Sequence, residues 1–240
     1  MLSIVIPTFN SENYIPELYV CIKKALENLS RAYELIFVDD GSVDRTVEIL
    51  KELRRKEEKI RVVRLRRNLG QHMALFVGIC QARGDVMMMM DADLRYDPAD
   101  IPRFLEKIDE GYDFISGWRV DRNDPFLARI VPSCIINAIF FYLFGIRLHD
   151  YACSFKCFQR NIAEEIINDG TIDRVAAKLG RFSYTEVRLN QSPRQSGPST
   201  YTLFRLIKVA REILSGFILG KLNVRNRQVD LSRLVEEVLD

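Results

Sequence analysis

Asp91 and Asp93 stand two residues apart, directly after the unbroken apolar run Val86-Met87-Met88-Met89-Met90. Side chains two apart on an extended segment point the same way, so these carboxylates can share one hard cation through oxygen ligands. Such a cation can hold a diphosphate and neutralise it as it leaves. A second acidic cluster, Asp39-Asp40-Gly41-Ser42, follows another apolar run, Leu35-Ile36-Phe37-Val38. It can face a nucleotide, accepting hydrogen bonds from a base or ribose, or it can form an Asx turn that caps the next helix with help from Asp44 and Thr46. The Asp91/Asp93 pair has an equally plain alternative as two solvated loop aspartates. Two such clusters, each at a strand end, favour the functional reading.

The elements that must position them follow from the hydrophobic pattern. Residues 3–7, 34–39, 61–65, 85–91 and 112–117 read as strands, and residues 12–29, 43–56, 71–83 and 99–110 as helices between them. This alternation predicts an α/β fold, a mostly parallel sheet with helices on both faces. Four consecutive methionines suit a central strand buried on both faces. In open sheets of this kind ligands bind beyond the carboxyl ends of the strands, where both acidic clusters fall. After Gly117 come a Trp/Arg-rich loop, a long helix, a short apolar segment over 152–158 and a strand over 182–189. This half is expected to build the acceptor side.

Composition narrows the class. A chain of 240 residues holds one large α/β domain, and 48% hydrophobic with 28% charged residues excludes disordered and fibrous classes. A net charge of +2 gives no ground for a nucleic-acid partner. Five cysteines without a CxxC pair argue against a disulfide framework or zinc site and for a reducing compartment. The chain enters a strand at once, without the regions of a signal peptide. The uncharged stretch 130–146 is interrupted by Pro132, Ser133 and Asn137 and reads as a buried or membrane-surface helix, not a span. Apolar residues at Leu203, Leu206, Ile207, Ala210, Ile213, Leu214, Phe217 and Ile218 alternate with Arg205, Lys208, Arg211 and Lys221. They describe an amphipathic helix that either lies on an anionic membrane or packs on a core. No GxGxxG follows the first strand, which speaks against a dinucleotide oxidoreductase.

Several stretches together resemble the motifs of family 2 inverting glycosyltransferases. They are Ile4-Val5-Ile6-Pro7-Thr8-Phe9-Asn10, Phe37-Val38-Asp39-Asp40-Gly41-Ser42, Arg67-Asn68-Leu69-Gly70-Gln71, Asp91-Ala92-Asp93-Leu94 and Ser116-Gly117-Trp118-Arg119. The branch most similar holds the dolichyl-phosphate mannose synthases and bacterial polyprenyl-phosphate glucosyltransferases, and residues 149–156 also resemble it. The resemblance is collinear over residues 2–201. It implies a GT-A fold, Rossmann-like, with Pro7, Asn10, Asp39, Asp40, Asp91, Ala92 and Asp93 around a UDP- or GDP-sugar. It also implies Mg²⁺ or Mn²⁺ at Asp91 and Asp93. Pro193 to Tyr201 resembles the family's Arg-x-x-Gly-x-Ser loop, in which Arg194 would touch the diphosphate. Departures are Arg95, where relatives usually carry glutamine, Thr200 in place of a basic residue, and the segment 170–174.

The acceptor implied is a polyprenyl phosphate, dolichyl or undecaprenyl. A phosphate is largely ionised near neutral pH, its second pKa being about 6, so the chemistry asks for cations to hold it, not for a strong base. Arg119, Arg122 and Arg129 with Ser133 suit that task through forked hydrogen bonds, the alternative being a solvated basic loop paired with Asp121 and Asp124. Asp150 is expected to orient sugar hydroxyls or assist the acceptor, so Asp93, Asp150, Arg119 and Arg129 form the expected catalytic group. The expected layout is a GT-A domain over 1–201 and an amphipathic helical segment over 202–240, peripheral on the cytoplasmic membrane face. A separate membrane subunit or a homo-oligomer is the partner this layout invites. Two other readings stay open: transfer to a glycan hydroxyl, which needs a carboxylate base, and a catalytically impaired scaffold on the same fold.

Overall fold

The computed structural model describes residues 1–120, 145–151, 153–170, 172, 175–190 and 229–240. Its strands are β1 (Leu2–Thr8), β2 (Tyr33–Asp39), β3 (Ile60–Leu65), β4 (Val86–Met89), β5 (Phe114–Arg119), β6 (Lys156–Gln159), β7 (Tyr184–Leu189) and β8 (Val235–Leu239). They form one eight-stranded sheet in the order β7-β5-β6-β4-β1-β2-β3-β8. β1 pairs parallel with β2 and β4, β2 with β3, and β5 with β7. β6 runs antiparallel between β4 and β5, and β8 antiparallel to β3. The carboxyl ends of β1, β2, β4 and β5 therefore share one edge, where β6 begins.

The helices are α1 (Ile15–Leu26), α2 (Thr46–Lys56), α3 (Gln71–Gln81), α4 (Ile101–Asp109) and α5 (Arg160–Asp169). Two cores flank the sheet. One joins Ile4, Ile6 and Phe37 to Ile15, Leu18, Leu50 and Phe104, which puts α1, α2 and α4 on one face. The other joins Val5, Ile36 and Val38 to Ala74, Val77, Ile162 and Ile166, which puts α3 and α5 on the opposite face. Strand alternation divides the methionine run between them: Met88 and Met90 enter the first core, Met87 and Met89 the second. Each is fully or nearly fully buried, as a strand covered on both faces requires.

The five strands and four helices expected up to Gly117, and the strand near 182–189, are present with ends shifted by a few residues. β6 and α5 occupy a stretch for which only a short apolar segment was expected. The expectation of a helical segment over 202–240 needs correction at its end, because residues 235–239 are a strand of the sheet. Leu231, Leu234, Val235, Val238 and Leu239 are spaced as a helix would have them, yet pairing with β3 wins. It satisfies an otherwise open edge, and Lys51–Glu237, Arg64–Glu236 and Arg61–Asp240 ion pairs fix its register. The amphipathic stretch 203–221 lies outside the described residues.

α3 sits unusually close to the sheet. Gly78 faces β1 and β2, and a Cβ there would overlap the Val5 side chain and stand 3.0 Å from Val38 Cγ2. Gly78→Ala is therefore expected to cost about 1–3 kcal/mol through overpacking, despite the better helix propensity of alanine. Urea titration checks this, and a more stable variant would show that α3 can move outward.

Candidate active site

The loops after β1 and β2 interlock before either offers a group to a ligand. Ser42 Oγ accepts the Asn10 N–H at 2.9 Å, Asn10 Oδ1 accepts the Val43 N–H at 3.0 Å, and Thr46 Oγ1 accepts the Ser11 N–H at 2.7 Å. The Asp40 N–H donates to Thr8 O at 2.8 Å. Asn10 takes φ +49°, a turn that asparagine tolerates better than most residues. Pro7 is half-buried and pairs with Val38 near the carboxyl ends of β1 and β2.

Asp39 and Asp40 do different work. Asp40 accepts the Leu69 N–H on Oδ1 at 2.7 Å and the Gly70 N–H on Oδ2 at 2.8 Å, so it fastens the loop that leads into α3. Gly41, at φ +77°, makes room for that loop: a Cβ would lie 2.8 Å from Arg67 C and Asn68 N. Burial pushes the Asp40 carboxyl up, and the two amides oppose it. Asp39 is fully buried; its Oδ2 accepts the Ser42 N–H at 3.2 Å and lies 3.9 Å from Arg64 Nε. Its Oδ1 has no hydrogen-bond partner. A buried carboxylate oxygen left in this way costs stability and is a ready acceptor for a donor group. Burial raises the Asp39 carboxyl too, against Ser42 and Arg64.

Beyond β4, Asp91 accepts the Gln71 amide on Oδ1 and the Ser154 hydroxyl on Oδ2, each at 2.5 Å. Asp93 accepts the Arg95 N–H on Oδ1 at 3.3 Å and Arg95 Nε on Oδ2 at 2.6 Å, and Arg95 Nη2 stands 3.6 Å from Asp91 Oδ2. Leu94 makes this possible. It adopts φ +55° and packs on the core, so the chain bends back and Arg95 returns over both carboxylates. Burial and the charge of Asp93 raise the Asp91 carboxyl. Ala92 between them is buried. The donor chemistry suits Mg²⁺ or Mn²⁺, hard cations that take carboxylate, hydroxyl and amide oxygens. Among the described residues no third His, Cys, Asp or Glu joins the pair.

Arg119 was expected to hold the acceptor phosphate and Asp150 to orient sugar hydroxyls or assist the acceptor; the structure joins the two side chains directly. Arg119 Nε and Nη2 bind Asp150 Oδ2 and Oδ1 at 2.5 and 2.8 Å, a bidentate pair in which Asp150 is only 1% exposed. In this arrangement the Arg119 fork is turned to Asp150, and Asp150 is not an unpaired carboxylate. The turn that carries Asp150 is held from several sides. Glu186 on β7 accepts the His149 and Asp150 N–H groups at 2.8 and 3.2 Å, Ser116 Oγ donates to Asp150 O at 3.3 Å, and the His149 ring stacks on Trp118 at 3.9 Å. Lys156, buried at the start of β6, donates to Tyr151 O at 2.9 Å and to Cys153 O.

The structure thus brings Pro7, Asn10, Asp39, Asp40, Asp91, Ala92, Asp93, Arg119 and Asp150 to one sheet edge. Arg122, Arg129, Ser133 and Arg194 lie outside the described residues. Sequence reasoning assigned no role to Gln71, Ser154, Lys156 or Glu186. The first three sit inside motif stretches already singled out, whereas Glu186 lies in a strand with no motif.

Comparison with known proteins decides the family. The model of the family described as "Glycosyl transferase family 2" matches residues 3–167. The chain belongs to glycosyl transferase family 2. This family 2 chain is 33% identical over 219 residues to an undecaprenyl-phosphate 4-deoxy-4-formamido-L-arabinose transferase of Pseudomonas aeruginosa, covering 90% of the chain and 64% of that protein. It is 34% identical over 221 residues to a dodecaprenyl-phosphate galacturonate synthase of Rhizobium johnstonii, covering 89% and 65%. The chain therefore spans somewhat less than two thirds of these relatives. Glucosyl-3-phosphoglycerate synthase from Mycobacterium tuberculosis, solved with Mn²⁺, UDP and glucosyl-3-phosphoglycerate, superposes with a TM-score of 0.65 at 18% identity, over 94% of this chain and 81% of that one. That likeness supports the GT-A fold. Among the described residues no helix is long and apolar enough to cross a membrane.

The buried state of Asp39 has a pH signature. Its folded carboxyl titrates above the unfolded value of about 3.9, so the stability it contributes is full below that value and is lost as pH rises through the folded value. Asp39→Asn does not ionise, so the difference in unfolding free energy between the two chains is expected to shift toward the variant as pH rises from about 4. Urea titrations at a series of pH values measure this; a difference independent of pH would show that Asp39 is not held up by burial.

Proposed function

We propose that this family 2 glycosyltransferase moves one hexose, with inversion, from a UDP- or GDP-sugar to a polyprenyl phosphate at the cytoplasmic face of a membrane. The observation that carries the reading is the gathering of Asp39, Asp91 and Asp93 at one sheet edge, in a chain whose relatives are named for transfer to undecaprenyl or dodecaprenyl phosphate. Asp39 would take a donor group of the nucleotide on its unsatisfied Oδ1, with Pro7 and Asn10 shaping the mouth and Asp40 keeping the adjoining loop in place. Mg²⁺ or Mn²⁺, held by Asp91 and Asp93, would supply charge neutralisation of the departing diphosphate. Arg194 would reach the same diphosphate.

The state of Asp150 favours phosphate over a glycan hydroxyl as acceptor. A hydroxyl must lose a proton to attack, and Asp150 is the candidate base from sequence. A carboxylate held by both arms of a guanidinium is a poor base, since the pair stabilises its ionised form. A phosphate needs no such help. Arg122, Arg129 and Ser133 would hold it in line with the anomeric carbon, while Arg119 and Asp150 would fix the floor beneath. The amphipathic stretch 203–221 would rest on the membrane surface, and a membrane subunit or a second copy would complete the assembly.

Incubation with membrane lipid and labelled UDP-glucose, UDP-galactose or GDP-mannose tests the reading. Label in the organic phase supports it, whereas label in polymer, or no transfer from any of a wide set of nucleotide sugars, overturns it. Arg129→Ala is expected to weaken use of the lipid acceptor by roughly 10- to 100-fold, the loss of a charged hydrogen bond, with donor binding unchanged. Initial rates against acceptor concentration and a nucleotide titration separate the two; equal loss of both would move Arg129 to the donor side.

A further inference from the structure

We infer that Arg95 is a resident cation of the Asp91/Asp93 pair, excluding a divalent metal until a nucleoside diphosphate arrives to take the guanidinium as its partner. The inference rests on the reading of these aspartates as the metal ligands of a nucleotide-sugar enzyme. One side chain answers both carboxylates, with Nε 2.6 Å from Asp93 Oδ2 and Nη2 3.6 Å from Asp91 Oδ2. Only 21% of the Arg95 side chain is exposed, so water screens the contact less than at an open surface.

The other groups that touch Asp91 are adaptable and Arg95 is not. The Ser154 hydroxyl can rotate to offer a lone pair, and the Gln71 amide can turn its oxygen inward. A guanidinium has no acceptor atom and stays charged, so a dication can take the carboxylates only if Arg95 leaves. Asp97 does not draw it aside. That carboxylate accepts the Ala99 N–H at 2.9 Å and caps the turn before α4.

Leaving has to be matched by a new anion. Displaced by metal alone, the guanidinium would remain next to a dication on the same short turn, without its two carboxylate partners. A diphosphate changes the balance, because it brings negative charge that both cations can share and a bidentate surface that suits a guanidinium. Metal and nucleotide are then bound as a coupled pair, each raising the affinity for the other by the same factor. Arg95 is on this account a positioning residue that sets the order of assembly.

Titration of Mn²⁺ into the full chain, followed by the electron paramagnetic resonance signal of free Mn²⁺, tests this. It is run on wild type, Arg95→Gln and Arg95→Met, without nucleotide and with UDP or GDP. Without nucleotide, both variants are expected to bind Mn²⁺ at least about tenfold more tightly than wild type, a modest share of the Coulomb repulsion removed. With UDP or GDP the gap should narrow, and Mn²⁺ should raise nucleotide affinity more in wild type than in either variant. Equal Mn²⁺ affinity of all three proteins without nucleotide overturns the inference. So does tight binding by the glutamine variant alone, which would trace the gain to a new oxygen ligand and not to the lost charge. If no form binds UDP or GDP with Mn²⁺, the functional reading fails instead, and the coupling with it.

Discussion

Negative charge gathered at the end of a buried sheet has to be answered locally, and much of the architecture around the site is that answer. Asp39, Asp40, Asp91, Asp93 and Asp150 all come to the carboxyl edge of one sheet or to the turn beside it. Two unit charges about 4 Å apart interact by roughly 4 kcal/mol at an effective dielectric of 20, so none of these groups can be left without compensation cheaply. Each is compensated differently. Asp40 takes two backbone N–H groups, Asp150 takes the fork of Arg119, and Asp91 and Asp93 take Arg95. Asp39 alone among them keeps a buried oxygen without a hydrogen bond.

These solutions divide the carboxylates by task. Asp40 and Asp150 are engaged within the protein: one anchors the loop before α3, the other lies in a turn that Glu186, Ser116 and Trp118 also hold. Asp39, Asp91 and Asp93 carry the compensations that a ligand can replace. On the proposed function a nucleotide donor would satisfy Asp39 directly, and a cation would take over from Arg95. Strain marks the same place, since Leu94 holds a left-handed backbone to bring Arg95 round.

The parallel half of the fold was legible because period and length agreed: short apolar runs alternate with amphipathic stretches, and the acidic clusters fall where the runs stop. β6 escaped notice because four residues carry too little pattern, and β8 because the spacing Leu231, Leu234, Val235, Val238 suits a helix equally well. Among the site residues, types and neighbourhood could be read but not partners. Nothing local distinguishes an aspartate that keeps a buried oxygen without a hydrogen bond from one that ties down a loop, as Asp39 and Asp40 show side by side. The Arg119–Asp150 pair joins two segments with no shared periodicity, so only the sheet reveals it. Arg95 was visible as a charged residue next to the acidic pair, and the turn at Leu94 decides where that charge goes.

β8 ties the last residues of the chain to the first half of the sheet. Leu239 pairs with Val62, and Asp240 reaches Arg61 and Arg83. A contact between such distant positions closes late, because the loop entropy it costs must be met by structure already formed. During synthesis β1, β2 and β3 leave the ribosome long before the strand that covers them, and domains assemble from the amino terminus as they emerge. For that interval β3 is an uncovered edge, with its backbone groups open to any extended segment nearby. Once paired, residues 235–239 shield that edge, and a variant lacking them would leave β3 open to such pairing.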